Sequence, residues 1–355
     1  MQNLVPSFTD VTLWQKRNFV STGGTRAKFI ALNDKEEIFY FKGSKEAPDG
    51  SIRYPLEFWS EIISSKVGQL LGFNMLDYNV GFDSNHIQKI GCLSKSMIDE
   101  KRERLTEGIT YLKGYSPDYD PVNDKKSYTF QFINKALLHH KIDMHIPSLI
   151  DVIIFDCIIG NSDRHQENWG FVREYIEIPL NEEDIKRLER NNESNLVEKV
   201  RSLFTSKRKE EIENRRKKNG VIRININNST KFAPIYDSGC CLGREKLEEE
   251  IIKMNNDDLL IERYVNKGKS EIHWEGNKIN HFQLLQNLLF LHTDLITNKL
   301  REIRERYNIK SLREVINKID DSLPDFCNDY KLTDDRKEVI AKIVDLRIEK
   351  LLSLL

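Results

Sequence analysis

The sequence predicts an α+β fold with a small β-rich N-terminal part and a larger helical C-terminal part. Runs rich in strand-forming residues, such as EIFYFKG and NMLDYNVGF, fill the chain up to Met97. Beyond Met97, apolar residues recur mainly at helical spacing. A polar, charged stretch at about residues 174–230 interrupts the helical part and is interpreted as an insertion.

One helix is predicted within the β-rich part, LEFWSEIISSKVGQLLG. Its apolar residues Ile63, Val67 and Leu71 have helical spacing, and Gly72 supplies a C-terminal stop. The strands around it are predicted in the runs VTLWQKRNFV, AKFIALN, EIFYFKG, NMLDYNVGF and IQKIGCLSKSM.

In the C-terminal part, helices are expected wherever the apolar spacing persists, and the last of them starts near Thr333. Two short strands, WGFVRE and APIYD, flank the charged insertion. The other predicted helices are SYTFQFINKALLHH, PSLIDVIIFDCIIG, LGREKLEEEIIKMN, HFQLLQNLLFLHTDLITNKLREIRERY and SLREVINKI.

Composition excludes several classes of protein. The 355 residues are 39% hydrophobic and 31% charged, which suits a folded domain with a core and excludes fibrous or wholly disordered chains. Lys+Arg 55 against Asp+Glu 56 leaves no basic excess, so direct nucleic-acid binding is not expected. No uncharged apolar run approaches the roughly 20 residues of a membrane span.

The cysteines indicate a reducing compartment. They are scattered, odd in number and without a CxxC pair, so neither a disulfide framework nor a zinc ribbon is expected. The N-terminus lacks a basic-then-apolar signal pattern. A cytoplasmic location is therefore expected.

The run GNSDRHQENWGF carries the strongest chemical signal. It follows an apolar helix and places Asp163 five positions before Asn168 on an expected loop. Phosphoryl transfer needs a carboxylate near the attacking hydroxyl and an oxygen ligand for Mg²⁺, which this pair can supply. The alternative is an Asx-rich turn with no chemical role.

A second acidic group ends the run FAPIYDSG. The apolar strand delivers Asp237 into a turn with Ser238 and Gly239, as a strand would present a metal-binding carboxylate. Alone this is also an ordinary turn. Together with Asp163 and Asn168 it makes a set of oxygen ligands that suits a hard cation.

Two weaker signals occur in the β-rich part. Lys42, on a strand, can bind nucleotide phosphates if a glutamate of the following helix holds it; Glu61 is favoured and Glu57 is the second candidate. A solvated strand end is the alternative for Lys42. The segment STGGTRAK can cradle phosphates through its backbone or be a plain hairpin turn.

The order of these signals resembles that of protein kinases: glycine loop, lysine, helix glutamate, Asp/Asn loop and Asp-x-Gly. The chain resembles the HipA-like serine/threonine kinases, in particular the compact members without an extra N-terminal subdomain. The segments that carry this resemblance are STGGTRAK, FYFK, GNSDRHQENWGF and FAPIYDSG. The resemblance implies a two-lobed kinase fold, with an N-lobe at 1–97 and a C-lobe at 98–355, that binds ATP and Mg²⁺.

The resemblance also implies residue roles. Asp163 matches the catalytic base, Arg164 and His165 belong to the same catalytic motif, and Asn168 and Asp237 match the magnesium ligands. The residues implied to bind ATP are Lys42 with Glu61, the glycine-loop residues Ser21, Thr22, Gly23, Gly24, Thr25 and Lys28, and the hinge Ser94, Lys95, Ser96 and Met97.

The resemblance implies the chemical class of the substrate and of the partners, but not their identity. It implies transfer to a serine or threonine of a protein, with autophosphorylation expected at Ser21, Thr22 or Thr25. A cognate antitoxin and a secreted-effector role both stay open. A phosphoinositide-type lipid kinase and a nucleotide-binding pseudokinase are the alternatives, although the segment after Asp237 is not strongly basic and the key polar residues are present.

The chain departs from the kinase pattern in two places. Ser238, not phenylalanine, follows Asp237, so regulation by a phenylalanine switch is not expected. The interval between Asn168 and Asp237 is unusually long because it contains the insertion 174–230. We interpret the insertion as a solvated helical pair peripheral to the chemistry; its basic clusters are interleaved with glutamates, which disfavours RNA or an acidic substrate as its partner.

Overall fold

The computed structural model of the chain describes residues 4–17, 26–46, 49, 51–179, 221–225 and 230–355. Contacts divide the chain into two compact units. The main unit comprises Met1–Met97, Glu107–Gly170 and Phe232–Leu355, and the accessory unit comprises Ile98–Thr106 and Phe171–Lys231. The described residues to which the sequence assigns chemistry fall within the main unit.

A sheet forms the N-terminal part of the main unit, with strand order β1-β5-β6-β4-β3-β2 among the described residues. Its pairs are antiparallel except β1 with β5. Phe41, at the centre of β4, is fully buried in the core of this part. The strands are β1 Phe8–Asp10, β2 Gln15–Arg17, β3 Arg26–Leu32, β4 Ile38–Lys45, β5 Tyr78–Phe82 and β6 Ile90–Lys95.

Helix α1, Glu57–Leu71, packs against β4, β5 and β6. It buries Phe58, Trp59 and Ile62 together with several polar side chains. The helix ends at Gly72, whose φ of 81° lies in the left-handed region that glycine adopts without strain. The predicted helix and its glycine stop are therefore confirmed.

Helices form the C-terminal part of the main unit. Helix α4, Ile146–Ile159, is almost wholly buried, and α10, Asp334–Leu352, packs against it. Helix α10 begins after Thr333, whose hydroxyl accepts a hydrogen bond from Arg336 N. The helices are α2 Gly108–Tyr115, α3 Phe130–His139, α4 Ile146–Ile159, α5 Glu248–Asn256, α6 Asp258–Lys267, α7 His281–Leu291, α8 Thr293–Arg306, α9 Ile309–Asn317 and α10 Asp334–Leu352.

Two predicted elements differ from the observed ones. The long helix expected from His281 onwards is broken at His292, where φ is −135° and α8 begins. The strand expected at APIYD is reduced to a single parallel bridge between Ile235 and Met75, because Pro234 has no N–H to donate to a ladder.

The accessory unit contains most of a second sheet, in which β8 pairs with β9, β10 and β7. Its strands are β7 Glu103–Glu107, β8 Gly170–Pro179, β9 Val221–Asn225 and β10 Lys231–Phe232. The insertion predicted at 174–230 therefore begins within β8 and contains β9 near its end, with Pro179 opposite Val221. Residues 180–220 and 226–229, where a helical pair was predicted, lie outside the described residues.

In the part of the chain that the structure describes, no helix has the length and apolar character needed to cross a membrane.

Candidate active site

Lys42 lies at the centre of the candidate site. Strand β4 places it with only 8% of its surface exposed. Its Nζ is 2.5 Å from Glu61 Oε1 and 2.6 Å from Asp237 Oδ1. One ammonium group therefore joins the sheet, helix α1 and the turn after Ile235. The structure brings together the strand lysine and Glu61, while Glu57 contacts other groups.

Asp237 is held in a strained conformation. Its φ of 51° is in the left-handed region, which is uncommon for a residue other than glycine and is concentrated at functional sites. Its N–H donates to the hydroxyl of Tyr78, and the next N–H, of Ser238, donates to Glu61 Oε2 at 2.7 Å. Burial and the charge of Glu61 raise the pKa of Tyr78, so this hydroxyl stays protonated.

Side-chain hydrogen bonds, within the loop and to α4, stabilise the loop that follows α4. Helix α4 ends at Gly160, with φ at 70°. Asn161 Nδ2 donates to Asp156 Oδ1, and its amide oxygen accepts from Asp163 N. Asn168 Nδ2 donates to the carbonyl of Asp163 at 2.8 Å, so the two ends of the Asp163/Asn168 motif are in direct contact.

Arg164 connects this loop to the Asp237 turn. It is 1% exposed and makes a bidentate pair with Asp156, with Nε 2.9 Å from Oδ2 and Nη2 2.8 Å from Oδ1. It also donates to Tyr236 O and to Ser238 Oγ, on either side of Asp237. Burial opposes its charged form, but Asp156 outweighs burial and keeps the pKa of Arg164 above its usual value. These contacts make Arg164 a positioning residue.

Asp163 is half-buried and faces the segment that follows Asp237. The thiol of Cys240 donates to Asp163 Oδ2 at 3.3 Å, and Ser162 N donates to the carbonyl of Cys240. His165 lies on the same loop, with its Nδ1 accepting from Glu167 N and 3.9 Å from Glu167 Oε2. The three predicted catalytic residues thus share one loop, but only Asp163 and His165 have side chains exposed enough to reach a ligand.

Asn168 and Asp237 suit a hard cation. Both offer oxygen donors, and the amide nitrogen of Asn168 is occupied by the loop backbone, which leaves its amide oxygen for a metal. Mg²⁺ in nucleotide enzymes typically takes one or two carboxylates together with substrate phosphates. Among the described residues, no group of three or more His, Cys, Asp or Glu is placed to hold a metal.

The remaining predicted ATP-binding residues are partly within the described chain. Lys28 pairs with Lys42 across β3 and β4, so both side chains point to the same face of the sheet. Ser94 and Lys95 end β6, and Ser96 N donates to Ile38 O. The glycine-loop residues Ser21, Thr22, Gly23, Gly24 and Thr25 lie outside the described residues.

Several residues of the site were not found from the sequence. Tyr78, Tyr236 and Cys240 carry no local pattern that marks them. Asp156 had a signal, since a lone carboxylate within the apolar run VIIFDCIIG indicates a buried partner.

No family model and no curated protein matches this sequence. Among solved structures, the Helicobacter pylori proinflammatory kinase CtkA matches with a TM-score of 0.66 and 17% identity, over 98% of each chain. HipA of Shewanella oneidensis MR-1, from a complex with HipB and operator DNA, matches with a TM-score of 0.46 and 13% identity, over 96% of this chain and 65% of that one.

A Golgi casein kinase matches more remotely, with a TM-score of 0.37 and 13% identity, over 99% of this chain and 72% of that one. The likeness to CtkA, at 17% identity, concerns the fold. The predicted fold class is confirmed: the chain has the two-lobed α+β fold of protein kinases, with a β-sheet N-lobe and a helical C-lobe.

Proposed function

We propose that the chain is an ATP- and Mg²⁺-dependent kinase that transfers the γ-phosphate to a serine or threonine hydroxyl of a protein. The observation that carries the proposal is the contact of Lys42 Nζ with both Glu61 and Asp237 in a kinase-like fold. An ion pair between a strand lysine and a helix glutamate, next to a metal-binding aspartate, is the arrangement that kinases use to orient ATP phosphates.

The carboxylates of Asp237 and Glu61, which both contact Lys42, would then have different roles. Asp237, with the amide oxygen of Asn168, would hold Mg²⁺, which neutralises phosphate charge when bound. Lys42 would bind nucleotide phosphates while Glu61 fixes its direction. Because Glu61 also accepts from Ser238 N, the lysine and the Asp237 turn are positioned by one side chain.

Asp163 would accept the proton of the attacking hydroxyl. In the transfer, the hydroxyl oxygen bonds to the γ-phosphorus, the bond from that phosphorus to the β–γ bridging oxygen breaks, and ADP leaves. The hydroxyl proton goes to the Asp163 carboxylate. Arg164 contributes by holding Tyr236 O and Ser238 Oγ, and hence the turn that carries Asp237.

Transfer of ³²P from Mg·ATP to the protein itself and to a generic protein acceptor tests the proposal. Asp163→Ala should lower the rate by orders of magnitude while thermal unfolding stays cooperative, because only the base is lost. Asp258→Asn is the matched control, since this carboxylate is 87% exposed on α6 and should leave transfer unchanged. Wild-type transfer by Asp163→Ala would contradict the assignment.

The same assay separates the alternatives. A lipid kinase would label phosphoinositide vesicles and not protein, and a pseudokinase would be stabilised by Mg·ATP without any transfer. Comparing phosphoproteomes of cells that express wild type or Asp163→Ala would identify the protein substrate. Identification of the proteins that co-purify with the wild-type chain would show whether an antitoxin binds to it.

A further inference from the structure

The buried Glu57 and the partly buried Arg244 form an ion pair that the phosphoryl-transfer scheme does not use. Glu57, the first residue of α1, is 1% exposed. One of its carboxylate oxygens accepts from Lys45 N at 2.9 Å, and the other contacts Arg244 Nη1. The Arg244 guanidinium also lies 4.9 Å from the ring centroid of Tyr54.

The pair extends the contact between α1 and the Asp237 turn by one helical turn. Glu57 and Glu61 are four residues apart and therefore share a face of the helix. On that face, Glu61 accepts from Ser238 N, and Ser64 Oγ donates to Ser238 O. The segment 238–244, which we call the α1-contact segment, is thus tied to α1 at its first residue and again at its last.

The α1-contact segment offers no accessible phosphate acceptor. From Gly239 to Leu247 the sequence contains no serine, threonine or tyrosine. Ser238 itself is 2% exposed, and its hydroxyl accepts from Arg164. A phosphate on this segment therefore cannot be what fixes α1, whereas the permanent positive charge of Arg244 can.

We propose that Arg244 is a positioning residue: through Glu57 it holds α1 so that Glu61 stays on Lys42, and the site is assembled without phosphorylation of the segment. The inference rests on the proposed kinase function. Without Arg244, the buried Glu57 carboxylate would lose the cation that contacts one of its oxygens. The first turn of α1 would then move toward water and take Glu61, one turn further on, away from Lys42.

A double-mutant cycle tests the proposal, with Arg244→Met, Glu57→Gln and the double variant. In the background that keeps Glu57, Arg244→Met should lower kcat/KM for ATP at least tenfold and speed amide hydrogen exchange of α1. In the Glu57→Gln background, where a neutral amide replaces the carboxylate that Arg244 contacts, the same change should cost less than threefold. Arg244→Lys should recover part of the loss, because it keeps the charge but not the planar fork.

Arg313→Met is the matched control, since it breaks the exposed pair with Glu338 and should change neither readout. Unchanged exchange of α1 in Arg244→Met, or an additive cycle, would overturn the positioning role. So would loss of activity after treatment with a protein phosphatase that removes phosphate from Ser238. Hydrogen exchange needs no activity, so a wild type that transfers no phosphate would refute the proposed function while the exchange still decides the role of Arg244.

Discussion

Lys42 shows how much a single side chain contributes to this site. Its ammonium group compensates Glu61, which is 1% exposed, and Asp237 at the same time. Lys42→Met should therefore abolish transfer or raise KM for ATP by at least tenfold, because both carboxylates lose their shared cation. ATP titration by calorimetry and ³²P transfer measure the two effects.

The control for this prediction is Lys318→Met. Lys318 lies just after α9, where its side chain is 52% exposed and pairs with Glu314. This change should leave both the affinity for ATP and the rate of transfer close to wild type. Normal nucleotide binding and transfer in Lys42→Met would remove Lys42 from the phosphate site.

The glycine loop makes a separate prediction at the scale of single hydroxyls. Ser21, Thr22 and Thr25 lie outside the described residues, so the expectation rests on the sequence. After incubation with Mg·ATP, mass spectrometry should find phosphate on Ser21 or one of these neighbours, and none in Asp163→Ala. A phosphate adds about −1.5 to −2 charges, which would repel the ATP phosphates, so Ser21→Asp should bind ATP more weakly.

An active enzyme with no phosphate between Ser21 and Thr25 would show that the loop hydroxyls serve only backbone geometry.

The contacts between the candidate site residues were less predictable from the sequence than the identity of those residues. The residue types and order predicted Lys42, Asp163, Asn168 and Asp237, because phosphoryl transfer requires a cation, a base and oxygen ligands in any fold. The choice between two glutamates depended on the position of α1 along its axis relative to Lys42, because Glu57 and Glu61 share a face of the helix and apolar spacing does not determine that position.

At the scale of elements, Arg164 and Asp156 join α4 to the loop and to the Asp237 turn. Asp156→Asn should leave the buried guanidinium without its anionic partner, and we expect a loss of about 3–5 kcal/mol in the free energy of unfolding. Urea unfolding measures this loss. Glu314→Gln, which breaks an exposed pair with Lys318 at the end of α9, should leave the free energy of unfolding close to that of wild type. A similar small loss in Asp156→Asn would mean that the buried pair contributes little.

The ends of the insertion make a further element-scale prediction. Strands β8 and β9 pair from Tyr175 with Asn225 to Pro179 with Val221. A short Gly/Ser linker in place of residues 181–219 should therefore close this ladder, and phosphate transfer should persist because the predicted chemistry lies elsewhere. Loss of transfer in a variant that unfolds as cooperatively as wild type would show that the removed residues bind substrate.

Element boundaries were predictable where a residue carries a local reason to stop or start a helix. Gly72 and Gly160 supply left-handed C-caps, and Thr333 supplies an N-cap. The break at His292 was missed because the apolar spacing continues through it. The strand predicted at APIYD is only a bridge at Ile235, because Pro234 lacks the N–H that a ladder needs.

For the whole molecule, the two-lobed fold was predicted from a resemblance: the order of the motifs resembles that of protein kinases, and the resemblance implies their fold. The division into units was not predictable in the same way. Residues 98–106 and 171–231 are far apart in sequence, yet they form one unit. Such association depends on backbone pairing between strands, and strand patterns do not specify which strands pair.

The C-lobe core predicts a pH dependence of the stability of the whole molecule. Burial, and then the charge of Arg347, lower the pKa of His281 well below its usual value. His281 is 1% exposed, and its Nε2 has no hydrogen-bond partner within the described part of the chain. The imidazole is therefore neutral in the fold but gains a proton when the chain unfolds below about pH 6.5.

Because the unfolded state binds more protons, the free energy of unfolding should fall as the pH drops, by about 1.4 kcal/mol from this histidine between neutral pH and about pH 5.5. Urea unfolding at both pH values measures the loss, and His281→Leu should reduce it by that amount. His139→Gln, which replaces an exposed histidine on α3, should keep the wild-type pH dependence. An identical acid loss in His281→Leu would mean that His281 is already protonated in the folded protein beside Arg347.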